Sequence, residues 1–377
     1  MSRQTSLTAF ADIWYHLTYE CGVATLKITA IEVDLRTVAA TDPPYSWRKG
    51  LPGSESAHIG GILRILTDEG IEGLAPTRRG TIINDLVERR LRNELLGADP
   101  MQREWLWHRL WEIDRIEEIP IYALGLVDIA LWDLAGKVYG APVCELMGAF
   151  RSVIPAYAST VTFSALEEYL DVADQCLELG YHAIKLHAWG DARVDAKLAL
   201  ALRAHVGGNV ELMYDGSAAF DLPDAVYLGR ALGEAEFSWY EEPIREFSVT
   251  AYRWLAERVE VPLLVGETSD GAHMNTADFI ISGCASSVRT SAELRGGFTG
   301  ALRIAHTADA YRLRAEVHGS GLPSVHLCMA IPNTTFYESL ITTNPVVREG
   351  QVDSDGLVHA PTAPGIGWTP DSVLRRI

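Results

Sequence analysis

The chain has 377 residues, 48% of them hydrophobic and 22% charged, which supplies a large core and argues against disorder. Its formal net charge of −18 argues against nucleic acid and anionic membranes as partners. The same charge would repel an anionic substrate unless a local cation reversed the sign. No apolar run approaches the ~18 residues of a membrane span. The amino terminus lacks a basic segment followed by an apolar one, so no signal peptide is expected. The five cysteines (Cys21, Cys144, Cys176, Cys284, Cys328) are scattered and odd in number, and read as reduced thiols of a cytoplasmic protein.

Residues 1–26 carry no recognisable element and read as an amino-terminal extension. "LKITAIEVDLRTV", 26–38, alternates apolar and polar residues and predicts a strand. "TDPPYSWRKGLPGSES", 41–56, predicts a loop, and residues 58–76 predict a further strand and a turn. From about 81 to 140 the pattern is helical. "YALGLVDIALWDLAGKVYG" is apolar almost all round, so a buried helix should end at Gly140, with Pro142 just beyond.

After residue 150 strand and helix alternate with a period of about 26 residues, the pattern of a parallel β/α barrel. The doubly wound sheet is the alternative, but no glycine-rich phosphate turn follows the first strand. The expected class is therefore α/β, a modified (β/α)7β barrel with an α+β capping domain. The boundaries are a cap over 27–149, a barrel over 150–340 and a carboxy-terminal segment over 341–377 that returns to the cap.

Three acids are expected to end three successive strands: Asp215 in "LMYDG", Glu241 in "WYEEP" and Glu267 in "VGETS", each 26 residues from the next. Equal spacing in a β/α repeat sets them at one height at the carboxy-terminal mouth, where barrel enzymes keep their chemistry. Three converging carboxylates need a cation between them, and an all-oxygen set suits Mg²⁺. Alternation turns Glu241 inwards and Glu242 towards the helices.

In "AIKLH" Lys185 and His187 stand on one face of the preceding strand, on the flank of the acids. His318, in "AEVHG", ends a later strand across the ring, and Glu338, in "TFYES", should end the last one. This set suits removal of a proton α to a carboxylate. A cation and Lys185 would stabilise the developing charge, and a positioned base would take the proton.

These residues resemble the enolase superfamily, mandelate racemase subgroup, whose sites combine a Lys or His base with Mg²⁺. The segments that carry the resemblance run from "LKITAIEVDLRTV" through "VDIALWDLAGKVYGAPVCELMG", "AIKLH", "LMYDG", "WYEEP", "LLVGE", "GGFTG" and "EVHG" to "GIGWTPD", about 27–377. The resemblance implies Asp215, Glu241 and Glu267 as metal ligands and Lys185 as the neutraliser of the substrate carboxylate. It puts His187 in the place of the usual base lysine, His318 on the opposite face and Glu338 as the last-strand acid. It also implies a homo-oligomer, from dimer to octamer.

The sequence departs from the family at three points. His187 replaces a lysine. Arg289, Thr290 and Ser291 stand where the family has the aspartate that pairs with its histidine, with Glu293 the nearest acid. Ser217 stands where an asparagine is usual. Which histidine is the base is left open.

The cap loop carries Tyr45, Trp47, Arg48 and Lys49, and cations over an anionic site suit a polyhydroxylated acid or one with a second carboxylate. The expected activity is dehydration of an acid sugar to a 2-keto-3-deoxy acid. The alternatives are an epimerase, racemase or lactone cycloisomerase and, of another class, a non-catalytic barrel.

Overall fold

A computed structural model describes residues 26–369. The extension upstream of residue 26 and Cys21 lie outside them. Strands β1 (Ile28–Val38), β2 (His58–Thr67) and β3 (Glu72–Thr77) form an antiparallel sheet in the order β1-β2-β3. The helical stretch then divides. Helix α1 (Gly80–Leu86) runs through a π-helical turn (Val87–Leu91) into α2 (Arg92–Leu95), followed by α3 (Arg103–Glu117) and α4 (Ile121–Tyr139).

Helix α4 is buried from Ala123 through Gly136 because it is sandwiched between the sheet and the barrel. It ends at Gly140, whose φ of 66° closes the helix in the left-handed region. Asp133 of α4 accepts the backbone N–H of Leu74 (2.9 Å) and of Ile366 (2.8 Å), so one buried carboxylate ties β3 and the carboxy-terminal segment to the same helix.

After α5 (Val143–Leu146) comes the alternating part. Its strands are β4 (Val153–Thr160), β5 (Ala183–His187), β6 (Glu211–Asp215), β7 (Trp239–Glu241), β8 (Leu263–Val265), β9 (Ser287–Thr290), β10 (Arg314–Val317) and β11 (Tyr337–Ile341). They pair in parallel in the order β10-β9-β8-β7-β6-β5-β4-β11, a curled (β/α)7β barrel, with β12 (Leu357–His359) antiparallel on the start of β4.

The intervening helices are α6 (Leu166–Glu178), α7 (Ala192–Val206), α8 (Leu222–Glu234), α9 (Val249–Ala256), α10 (His273–Ile281), α11 (Gly297–Ala310) and α12 (Leu322–Ala330). Tyr157, Ala183, Met213, Trp239 and Leu264 pack together inside the barrel and form the plug beneath the site. Cys144, Cys176, Cys284 and Cys328 are buried free thiols. Among the described residues no helix is long and apolar enough to cross a membrane.

Cap and barrel approach closely at α4 and α11. Gly297 has a φ of +78°, and a Cβ there would meet Asp128 Oδ2 at 2.2 Å. The space is taken by the Asp128 carboxylate, which accepts Thr299 N–H (2.9 Å) and the Thr299 hydroxyl (2.6 Å) at the start of α11.

Candidate active site

Within β5, Ala183 belongs to the interior plug, so Lys185 and His187 point into the barrel with it. Asp215 and Glu241 are the last residues of β6 and β7 and are register partners, as are His187 and Asp215. Glu267 differs from the expectation of a strand end. It lies two residues beyond β8, and the chain reaches it through Gly266 at φ +93°.

Three backbone N–H groups around that turn, those of Gly266, Thr268 (2.9 Å) and Ser269 (3.2 Å), are gathered by the buried Glu246 carboxylate. Glu338 also differs. It is the second residue of β11, in register with Tyr157, and so sits deeper than the mouth. Ligand oxygens of Asp215, Glu241 and Glu267 lie within 4.8 Å of one another.

The floor is a dense ionic network. Lys185 Nζ, 1% exposed, reaches Asp215 Oδ2 (3.1 Å), Glu241 Oε2 (2.9 Å) and Glu338 Oε1 (2.9 Å). Arg289, fully buried, clamps Glu241 with Nε and Nη2 and donates to the Tyr157 hydroxyl (3.0 Å) and Val317 carbonyl (3.0 Å). Its Nη2 lies 3.6 Å from Glu338 Oε2. Burial penalises the Lys185 ammonium, but Glu241 and Glu338 outweigh it and hold its pKa well above the ordinary value. Burial likewise disfavours the Glu338 carboxylate, and Lys185 and Arg289 overrule it, so it stays ionised.

Arg289 stands out in the sequence only as a departure from the family, and its part in this floor is not readable there. It stands in the strand where the family's aspartate was sought, and it points inwards while Thr290 turns out to bond the Ala301 carbonyl (2.9 Å). Lys185 lies below the cavity with its ammonium shared among three acids.

Above the network lies a cavity of about 540 Å³ walled by His187, Asp215, Ser217, Glu242, Glu267, His318 and Glu338 from the barrel and by Trp47, Arg48, Arg78 and Arg79 from the cap. His187 Nδ1 lies 2.7 Å from the Thr160 carbonyl, which only accepts, so that nitrogen carries a proton and Nε2 faces Asp215 Oδ2 at 3.0 Å. Trp47 covers the imidazole, with ring centres 4.8 Å apart.

His318, one residue past β10, pairs through Nε2 with Glu267 Oε1 (3.2 Å) rather than with an acid of the β9 loop. Burial alone would lower the His318 pKa, but Glu267 outweighs it and raises it to about 9. Glu242 corrects the alternation argument. Its φ of 38° breaks the strand, and its carboxyl lines the cavity and accepts the Thr268 hydroxyl.

Of the cap-loop residues, Arg48 donates from Nε to the Ser217 carbonyl (3.0 Å). Tyr45 packs edge-on to Trp47 beside a neighbouring cavity, and Lys49 is exposed outside the wall. The site thus brings together His187, His318, Glu338, the acid triad, Ser217, Trp47 and Arg48. Arg78, Arg79 and Arg245 also reach it, and only the dipeptide "RR" just after a predicted strand hinted at the first two.

The donor set fits a divalent cation on two observations. Glu267 Oε2 is buried without a hydrogen-bond partner. Asp215, Glu241 and Glu267 also turn carboxylate oxygens to within 4.8 Å of one another, close enough to share one ion.

Residues 168–373 match the enolase C-terminal domain-like family, and residues 53–148 match the mandelate racemase / muconate lactonizing enzyme N-terminal domain. The chain is 29% identical over 326 residues to the 3,6-anhydro-alpha-L-galactonate cycloisomerase of Streptomyces coelicolor, which covers 82% of this chain and 88% of that protein. It is 28% identical to the D-galactarolactone cycloisomerase of Agrobacterium fabrum over 91% of this chain and 96% of that one. A crystal structure of D-glucarate dehydratase from Agrobacterium tumefaciens complexed with magnesium superposes with a TM-score of 0.81 at 31% identity, over 90% of this chain and 96% of that one. The chain belongs to the enolase superfamily, with the mandelate racemase / muconate lactonizing enzyme arrangement of amino- and carboxy-terminal domains.

Proposed function

We propose that the chain is a Mg²⁺-dependent acid-sugar dehydratase that takes the proton α to a carboxylate and expels the β-hydroxyl. The observation that carries this reading is the pair of imidazoles, from β5 and from the end of β10, lining one cavity with Asp215 and Glu267 of the acid triad. Asp215, Glu241 and Glu267 would hold the cation, which when bound polarises the substrate carboxylate and stabilises negative charge developing on it.

His187 is the base. The Thr160 carbonyl accepts the Nδ1 hydrogen bond, so Nε2 would be the working nitrogen once Asp215 engages the cation and no longer the imidazole, and Trp47 shields it from bulk water. His318 is the acid. Its contact with Glu267 favours the imidazolium, which can hand a proton to the departing hydroxyl. The α C–H electron pair passes into the carboxylate to give an enolate. That pair then returns to form the α,β double bond as the β C–O bond breaks and His318 protonates the leaving hydroxyl, and the resulting enol rearranges to a 2-keto-3-deoxy acid. Lys185 and Arg289 hold the acids in register from beneath.

A second reading is lactone cycloisomerisation, favoured by the two cycloisomerases among the similar proteins. There the leaving oxygen belongs to the ring, and the same two histidines serve.

The test incubates the protein and Mg²⁺ in D₂O with acid sugars and their lactones and follows proton NMR. Loss of the α-proton with new 3-deoxy methylene signals is expected from an acid sugar. Deuterium at the α-carbon without loss of water refutes dehydration for that acid, and reaction of lactones alone selects the second reading. His187→Asn should abolish α-exchange. His318→Asn should abolish elimination and leave exchange measurable.

A further inference from the structure

The wall of the main cavity is chemically divided. The barrel contributes the carboxylates, Glu293 beside Arg78 and Arg79 among them, both histidines and one arginine, Arg245. The cap contributes Trp47, Arg48, Leu51, Arg78 and Arg79, and no acid. In a chain of net charge −18, three guanidiniums on one face of one cavity need a reason.

Several other arginines of the cap have theirs: Arg36, Arg64, Arg89, Arg90, Arg92 and Arg109 are each ion-paired to a carboxylate, and Arg103 lies over the Trp132 ring. Among the described residues, no ion pair with a carboxylate is formed by Arg48, Arg78 or Arg79. Two of the three are nevertheless held in place. Arg48 is fixed through Nε by the Ser217 carbonyl, so cap and barrel orient it jointly. The Arg79 guanidinium lies 4.4 Å from the centre of the Tyr122 ring, which supports its plane and leaves its edge N–H groups to bond elsewhere. Arg78 and Arg79 also border two adjoining cavities of about 390 and 420 Å³, so they stand where the reaction chamber opens outwards.

We propose that Arg48, Arg78 and Arg79 form a second anion subsite, which takes the far carboxylate of a dicarboxylic acid sugar while its reacting carboxylate lies at the acid triad. This rests on the reading of the triad as a proton-abstracting centre. A monocarboxylic acid spends its only charge at the triad and offers the arginines neutral hydroxyls. Hydrogen bonds from a guanidinium to a carboxylate are roughly twice as strong as those to neutral acceptors, and the planar fork matches a carboxylate's two oxygens. Losing one such contact is worth about 10- to 100-fold in affinity. The subsite therefore selects diacids, or their monolactones, over the corresponding monoacids whichever reaction follows.

The test measures binding by calorimetry in Mg²⁺, without turnover being required, for pairs of aldaric and aldonic acids of matched configuration, galactarate against galactonate among them. The wild-type protein should prefer at least one diacid over its monoacid by ~10-fold or more, and Arg78→Met with Arg79→Met should erase that preference. Both side chains are exposed, and circular dichroism is the check that the double variant is folded. No diacid preference in any pair, or a double variant that loses both partners of a pair by the same factor, overturns the subsite. The D₂O exchange experiment judges the proton-abstracting centre separately. A diacid preference without exchange keeps the subsite and sinks the chemistry, and exchange without a diacid preference does the reverse.

Discussion

Glu246 carries the sharpest prediction about the site, because it touches none of the reacting groups. Its buried carboxylate, in the segment between β7 and α9, accepts the N–H groups of Gly266, Thr268 and Ser269, which bracket Glu267. Glu267 lies beyond its strand and receives no ladder hydrogen bond to fix it, so this gathered turn sets where its carboxylate points. Glu246→Ala leaves three N–H groups without that acceptor, at about 1–3 kcal/mol for each one that stays buried. Water entering from the cavity can reach some of them, so a net loss of about 3–4 kcal/mol in urea unfolding is expected. The functional consequence is separate. With the turn released, Mg²⁺ affinity by calorimetry should fall about 10- to 100-fold, the usual effect of removing a group that orients a metal ligand. Glu246→Gln keeps one acceptor oxygen and should recover part of both. A Glu246→Ala protein that is destabilised but binds Mg²⁺ as tightly as wild type would refute the reasoning, because the turn would then hold Glu267 without help.

The barrel was legible because β/α alternation repeats, and a repeat averages out local ambiguity. Asp215 and Glu241 follow from that period, since each ends its strand and neighbouring strands are in register. Glu267 shares the spacing in sequence but not the register, because β8 stops at Val265 and a glycine turn carries the chain on. Spacing alone cannot tell a strand end from a turn held by a distant carboxylate. Glu242 fails the alternation rule because its backbone leaves the extended region, which the neighbouring acid in "EEP" does not announce. Arg289 was visible as a substitution in the family pattern. Its partners, Glu241 and Glu338, come from strands 48 residues before and 49 residues after it, so no local signal names them. Arg78 and Arg79 are the least legible. Their place in the wall depends on how the loop after β3 lies across the barrel mouth, and periodicity is silent on that.

Three further perturbations test the structure. Arg289→Met should cost about 3–5 kcal/mol of stability, since it strips a buried partner from Glu241 and Glu338. A loss under ~1 kcal/mol in urea unfolding would show that Lys185 suffices alone. His326 is buried and accepts the Cys144 N–H (3.0 Å), and burial lowers its pKa to about 4. The unfolded chain takes up this proton near pH ~6.5 and the folded one only near 4, so stability is lost as pH falls through that window. His326→Gln should remove about 1.4 kcal/mol per pH unit of the loss, and an unchanged acid limb would refute the assignment.

Asp128 gives the opposite sign. It lies on α4 against the start of α11, and burial pushes its carboxyl up to about 7, although the Thr299 hydrogen bonds and Arg103 oppose the rise. An unfolded aspartate titrates near ~4, so between the two values the folded protein holds the extra proton. Stability from this group is therefore full at low pH and declines as pH rises towards 7, by about 1.4 kcal/mol per unit. Asp128→Asn cannot ionise. Its stability relative to wild type should climb by roughly 3 kcal/mol between pH 5 and pH 7.5, read from urea midpoints at fixed ionic strength. If the difference stays flat with pH, the carboxylate is ionised throughout. The N–H dipoles at the start of α11 would then outweigh its burial, and the contact that seats the cap above the cavity would keep the same strength up to neutral pH.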